Sequence, residues 1–180
     1  MSVTLEPRRY TTVAIALHWL VLVLVLVQFA TKLIPKGSFG LASRTLNAWH
    51  LAVGPTILLL MLVRLAWRLA HPAPPPPADL SAGVQRLSRA THWGFYAVLI
   101  VLPVLGWLSA NGFGATVTLA GLFPLPALLG TDKPLAETIG GIHGVLAWIL
   151  LALIALHVAG ALYHAFVKRD RVIQRMVPAP

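Results

Sequence analysis

The sequence contains no cysteine, and this absence excludes several kinds of metal and redox site. Disulfide bonds, iron–sulfur clusters, thiolate metal ligands and covalent c-type haem attachment all require the cysteine thiol. Any metal that the chain binds must therefore be held by histidine, methionine or carboxylate side chains.

Acidic side chains are almost as scarce, with five among 180 residues. They are Glu6, Asp79, Asp132, Glu137 and Asp170, and all lie outside the long apolar runs. Met61 is the only methionine within such a run. The chain has seven histidines, so histidine is its only abundant metal-binding side chain.

Long apolar runs are what the sequence has in abundance. Hydrophobic residues make up 58% of the chain and charged residues 11%, a composition typical of integral membrane proteins. Four runs lie at about residues 13–34, 46–69, 91–110 and 141–166, and each has the roughly 20 residues that a membrane-spanning helix needs. We therefore predict an all-α four-helix bundle in the lipid bilayer, with residues 1–180 forming a single transmembrane domain.

The basic residues predict the orientation of this bundle. The net charge is +9, but the basic side chains flank the apolar runs, which indicates membrane topology rather than nucleic-acid binding. One end would carry Arg8, Arg9, Arg64, Arg68, Arg86, Arg89, Lys168, Arg169, Arg171 and Arg175, and the other Lys32, Lys36, Arg44 and Lys133. By the positive-inside rule, we expect both termini to be cytoplasmic.

Four histidines fall at matched depths in the predicted helices. His143 and His157 are 14 residues apart in the fourth run, which corresponds to about 21 Å of helical rise and to nearly the same face. His18 lies early in the first run and His50 early in the second, which crosses in the opposite direction. We call His18 and His157 the inner pair, and His50 and His143 the outer pair.

Each pair suits a six-coordinate haem, since the iron takes one axial nitrogen from each face of the macrocycle. Helix bundles build such sites from side chains that project inward from facing helices. Small residues near the histidines leave space for the flat ring, among them Ala14, Gly54, Gly144 and Gly160. We therefore predict that each pair ligates one b-type haem through both imidazoles.

Arg64 follows His50 by the same 14 residues, so it faces the bundle interior near the inner pair. We predict that it pairs with a propionate of the inner haem. The alternative is that its side chain reaches the lipid headgroups. His71 precedes Pro72 at a helix end, where we expect an interfacial role. The roles of His92 and His164, near the predicted cytoplasmic surface, stay open between interfacial packing, a propionate contact and a quinone site.

Three segments resemble the bacterial cytochrome b561 family: "ALHWLVLVLVL", "NAWHLAVGPTILLLMLVRL" and "GIHGVLAWILLALIALHVAGALYH". The likeness extends over nearly the whole chain, including the proline-rich second loop and the basic tail. It implies a di-haem electron carrier in the bacterial inner membrane. The matching ligand positions are His18, His50, His143 and His157.

Members of that family pass electrons from periplasmic superoxide to ubiquinone, so the resemblance makes a superoxide:ubiquinone oxidoreductase the leading interpretation. No catalytic side chain is predicted. Lys32, Lys36 and Arg44 form a positive cluster at the outer end, which fits the steering of a small anion. The alternative is that these are ordinary loop charges.

Two other functions stay open at this point. One is a cytochrome b anchor subunit that relays electrons between quinone and a periplasmic redox protein, such as a dehydrogenase or hydrogenase. The other is a proton or metal-ion transporter whose histidines form a relay. The absence of carboxylates from the apolar runs disfavours the transporter.

Overall fold

The structure, a computed structural model, describes residues 9–35, 38, 43–77 and 80–177. Its four long helices are α1 (Thr12–Leu33), α2 (Ser43–Ala70), α3 (Ala82–Gly112) and α4 (Lys133–Leu162). All four are long and apolar enough to cross a membrane. The prediction of an all-α, four-helix membrane protein is therefore confirmed.

Side-chain caps fix where three of these helices begin. The Thr11 hydroxyl accepts the Ala14 N–H at α1, the Ser81 hydroxyl accepts the Val84 N–H at α3, and the Asp132 carboxylate accepts the Leu135 N–H at α4. These bonds satisfy backbone donors that the first turn of a helix leaves unpaired. As a result α3 and α4 begin well before the apolar runs, which mark only their membrane-buried parts.

The chain runs up and down, so consecutive helices pack on one another: α1 on α2, α2 on α3, and α3 on α4. In the part of the chain that the structure describes, α4 approaches α1 and α2 far less closely than it approaches α3. Side chains rather than backbones therefore bridge the space between α4 and the α1–α2 pair.

An apolar core occupies the middle of the bundle, and all four helices contribute to it. Its buried residues are Val21, Val25, Ile57, Met61, Leu99 and Leu150. The paired histidines are on α1, α2 and α4. On these helices the core residues lie between the level of the inner pair and the level of the outer pair, or next to one of these levels. The core therefore separates the inner pair from the outer pair with hydrocarbon.

The segment between α3 and α4 contains a small hairpin that the sequence did not predict. Strands β1 (Thr118–Leu119) and β2 (Phe123–Pro124) are antiparallel. Three residues connect them, and the first two, Ala120 and Gly121, have φ values of 53° and 76°. Positive φ at two successive central residues is typical of a type I′ turn. The Ala120 N–H donates to the Thr56 hydroxyl at 3.1 Å, which fixes the hairpin against α2.

The chain continues beyond α4 at the basic end. A π-helical turn (Tyr163–Lys168) extends α4, and a short 3-10 helix (Ile173–Met176) follows. Between them Arg169 adopts a left-handed backbone conformation with φ of 53°. This residue reverses the chain direction and sends the tail back toward α1.

Candidate functional site

The inner pair lies where α1 and α4 face each other. The ring centroids of His18 and His157 are 6.2 Å apart, with an angle of 65° between their planes. Both side chains are half-buried. The backbones of α1 and α4 do not pack closely here, so the two imidazoles are the groups that meet across the space.

The outer pair has almost the same geometry at the other level. The ring centroids of His50, on α2, and His143, on α4, are 6.1 Å apart, with an angle of 74° between the planes. The structure thus brings together the same two pairs that the 14-residue spacing and the alternating helix direction group in the sequence.

These separations suit one metal ion between each pair of rings. An imidazole nitrogen lies about 2 Å from a first-row metal ion, so two imidazoles on opposite sides of one ion have centroids about 6 Å apart. The observed 6.2 and 6.1 Å match that value. The residues at each level therefore fit a haem, whose iron His18 and His157, or His50 and His143, would hold.

Hydrogen bonds fix the tautomers of the outer pair. His143 Nδ1 donates to the Leu102 carbonyl at 2.9 Å. His50 Nδ1 donates to the Thr31 hydroxyl at 3.0 Å, and that hydroxyl in turn donates to the Gln28 carbonyl at 2.7 Å. With Nδ1 carrying the proton, Nε2 of each ring keeps a lone pair for a metal.

Glycines provide the space that these rings and a flat ligand need. A Cβ on Gly106 of α3 would lie 3.0 Å from Cε1 of His143, so only glycine lets α3 pass this ring without a shift. Gly144 and Gly160 of α4 face open space, since a Cβ at either position would meet nothing within 4 Å. A Cβ on Gly54, also expected to make room for a haem, would lie 3.2 Å from the Gln28 amide nitrogen.

Two buried polar atoms in the outer halves of α1 and α3 have no partner among the described residues. They are Oε1 of Gln28, whose amide nitrogen donates to the His50 carbonyl, and Nε1 of Trp107, which directly follows Gly106. An unpaired polar atom in an apolar interior costs several kcal/mol. One acceptor and one donor are therefore available for the polar edge of a bound group.

Arg64 points into the bundle at the level of the inner pair. Its Nη1 donates to the Ala14 carbonyl at 2.9 Å, one turn before His18. It lies within electrostatic range of both His18 and His157. In the described part of the chain it has no carboxylate partner, so its charge is available to an anionic group at this level.

The three remaining histidines differ from one another. His71 is exposed and stacks on Trp67 with ring centroids 4.0 Å apart. His164 Nδ1 contacts Asp170 Oδ2 at 2.6 Å. The ring of His92 lies 5.4 Å from the ring of His157, a contact that sequence reasoning missed although it expected His92 near the cytoplasmic surface.

The predicted positive cluster at the outer end is only partly described. Lys32 Nζ donates to the Asn47 side-chain oxygen at 3.0 Å and lies within electrostatic range of His50 and His143. Arg44 is exposed at the start of α2. Lys36 lies outside the described residues. A cavity of about 280 Å³ opens between the end of α1 and the start of α2, beside Lys32.

Known proteins resemble this chain over nearly its full length. The family model for prokaryotic cytochrome b561 matches residues 9–179. Cytochrome b561 homolog 2 of Escherichia coli K12 is 28% identical over 98% of this chain and 95% of its own. Probable superoxide oxidase CybB of Yersinia pestis is 31% identical over 95% and 97%. Cytochrome b562 of Cereibacter sphaeroides is 25% identical over 97% and 98%.

Proposed function

Since the chain belongs to the prokaryotic cytochrome b561 family, whose members are haem-binding membrane electron-transfer proteins, we propose that it carries electrons across the bacterial inner membrane through two b haems. His18 and His157 would ligate the inner haem, and His50 and His143 the outer one. The observation that carries this proposal is the near-identical separation of the two ring pairs, 6.2 and 6.1 Å.

When bound, each haem would supply an iron that takes up and releases one electron at a time. The protein's part is to hold that iron in place. The Leu102 carbonyl and the Thr31 hydroxyl orient the outer imidazoles. The apolar core between the two levels excludes water from the path, and the two α4 ligands are about 21 Å apart along the helix axis.

A spectrum of the purified protein tests this proposal. We expect a reduced-minus-oxidised difference spectrum of b-type haem and two haems per chain. His18→Ala and His157→Ala should each remove the inner haem, whereas His50→Ala and His143→Ala should each remove the outer one. A colourless protein, or losses that do not follow these pairs, would contradict the proposal.

His71→Ala is the matched control for these substitutions. The His71 ring is exposed and stacks on Trp67, away from either pair. This variant should keep both haems and both difference spectra. A haem lost here as well would mean that the losses report general misfolding rather than ligation.

The electron donor we propose is periplasmic superoxide, and the acceptor is ubiquinone. Two superoxide anions would be oxidised to dioxygen, and their two electrons, together with two protons, would reduce one ubiquinone to ubiquinol. The name of the Yersinia pestis relative and the cationic Lys32 beside the outer pair support this assignment. A small anion is attracted toward such a charge.

Lys32→Gln tests the donor. At low ionic strength we expect haem reduction by superoxide to slow by about twofold to tenfold and to depend less on salt. Arg86→Gln, at the opposite end of the bundle, should leave the rate unchanged. Equal rates in wild type and Lys32→Gln would remove the steering argument, and co-purification of a large periplasmic subunit would favour the anchor-subunit alternative.

A further inference from the structure

The tail after α4 is fixed where it leaves the helix. We call residues 169–176 the C-terminal strap. At its start the Asp170 carboxylate contacts His164 Nδ1 at 2.6 Å and accepts the Val172 N–H at 3.0 Å. The Asp170 N–H also donates to the His164 carbonyl. These bonds, together with the left-handed Arg169, direct the strap toward α1.

The other end of the strap is attached to three parts of the protein. The Trp19 indole N–H donates to the Met176 carbonyl at 2.8 Å. The Tyr10 N–H donates to the Arg175 carbonyl at 3.2 Å, just before α1. The Arg175 guanidinium donates to the Pro75 carbonyl at 2.7 Å, in the proline-rich segment after α2. The strap thus links the end of α4 to the start of α1.

This link joins the two helices that donate the inner pair. His18 is on α1 and His157 on α4, and the backbones of these helices do not pack closely in the described part of the chain. Trp19 directly follows His18, and their ring centroids are 5.3 Å apart in an edge-to-face arrangement. One side chain therefore contacts both an inner imidazole and the strap.

We propose that Trp19 is a positioning residue for the inner pair, and that the strap, through the Met176 carbonyl, sets the separation of His18 and His157. The effect of this device on a redox potential rests on the proposed function, because it requires the inner haem. The outer pair lies at the other level, where α3 contacts His143 through the Leu102 carbonyl and Gly106. Within the described residues the strap makes no hydrogen bond to either outer imidazole.

Two variants remove the bond between Trp19 and Met176 from opposite sides, and the truncation also removes the Arg175 bonds to Tyr10 and Pro75. Trp19→Phe keeps an aromatic ring beside His18 but cannot donate to Met176, and a chain ending at Val172 lacks the acceptor. In redox titrations of each purified protein, we expect the midpoint potential of the inner centre to fall because water gains access to it. The potential of the outer centre should stay unchanged. Trp148→Phe is the control, because the Trp148 side chain is exposed on the surface of α4, and it should change the potential of neither centre.

Combining the two variants distinguishes a shared contact from two unrelated defects. Since the Trp19–Met176 bond is lost in both, and the strap is proposed to act through it, the double variant should shift the potential of the inner centre no more than the larger single shift. Additive shifts, an unmoved inner centre, or equal movement of both centres would overturn the proposal.

A distance measurement tests the strap without any haem. The natural chain has no cysteine, so spin labels attach only at Val13→Cys and Leu162→Cys, which are exposed sites near the basic ends of α1 and α4. In Trp19→Phe we expect the label-to-label distance distribution to shift to longer values. An unchanged distribution refutes the strap, whereas a missing haem spectrum refutes the proposed function and leaves this measurement valid.

Discussion

At the scale of single residues, the two histidine pairs are held by different forces. The outer imidazoles donate to the Leu102 carbonyl and the Thr31 hydroxyl. Within the described residues, the rings of the inner pair make no hydrogen bond, and aromatic rings surround His157 instead, those of His92 and Phe95 at 5.4 and 5.5 Å. The outer ligands should therefore be the more basic ones, because a hydrogen bond at Nδ1 strengthens the donor character of the ring.

Thr31→Val tests that difference at the outer pair. The substitution keeps the shape of the side chain but removes the acceptor of the His50 Nδ1–H. A less basic ligand stabilises the oxidised iron less, so the outer midpoint potential should rise by about 60 mV, equivalent to a tenfold change in relative affinity. Redox titration measures this shift. Thr138→Val, near the start of α4, should leave both potentials unchanged, and an unmoved outer potential would contradict the assigned hydrogen bond.

Arg64 gives a second prediction at this scale. Its positive charge near the inner pair favours the reduced centre, so Arg64→Leu should lower the inner midpoint potential. For a charge about 8 Å away and an effective dielectric constant of about 20, the interaction is about 2 kcal/mol, or roughly 90 mV. Arg64→Lys keeps the positive charge, so its inner midpoint potential should stay close to that of the wild type. If titration finds the inner potential of Arg64→Leu unmoved, the pairing with a propionate is wrong.

At the scale of helices, α3 determines where the outer end of α4 lies. Gly112 approaches Ala136 so closely that an added Cβ would lie 2.7 Å from the Ala136 side chain. The Ser109 hydroxyl donates to the Ala136 carbonyl at 2.9 Å. Gly106 passes the His143 ring in the same interface. The α3–α4 contact therefore positions an outer ligand as well as packing two helices.

Gly106→Ala tests this role of the interface. Its Cβ would lie 3.0 Å from His143 Cε1, so the ring must move or the helices must separate. We expect the outer haem to bind more weakly while the inner haem is retained, as measured by haem content and by the two potentials. Gly141→Ala is the matched control, because its Cβ would meet nothing within 4 Å. Equal haem content in both variants would argue against a tight fit at Gly106.

The four helices and the grouping of the histidines could be predicted from the sequence, because both depend on residue type and spacing. Hydropathy marks a membrane-buried helix, and the 14-residue spacing of His143 and His157 fixes two depths. The hairpin and the C-terminal strap had no such signal. Strands of two residues show no periodicity, and the bond from Trp19 ends on a backbone carbonyl that any residue at position 176 would supply.

At the scale of the whole molecule, the charge distribution gives the bundle two unlike ends. The ends of α2 and α4 and the start of α3 bring most of the basic residues to one end. The hairpin, the end of α1 and the start of α2 lie at the other end. We therefore propose that the basic end is cytoplasmic, since basic loops are retained on that side.

Labelling of single cysteines in intact cells tests the orientation, and the wild-type chain adds no signal because it has no cysteine. Leu122→Cys, in the hairpin turn, should react with a membrane-impermeant maleimide. Ser88→Cys, at the basic end, should react only after the cells are permeabilised. The reverse labelling pattern would mean that the bundle has the opposite orientation, and superoxide would then approach the other end of it.

One helix, α4, supplies an imidazole to each level. A rotation of this helix about its own axis swings both imidazoles in the same sense, whereas α1 and α2 each donate an imidazole to one level only. Mechanical strain in the bilayer that turns α4 would therefore move both candidate ligands together.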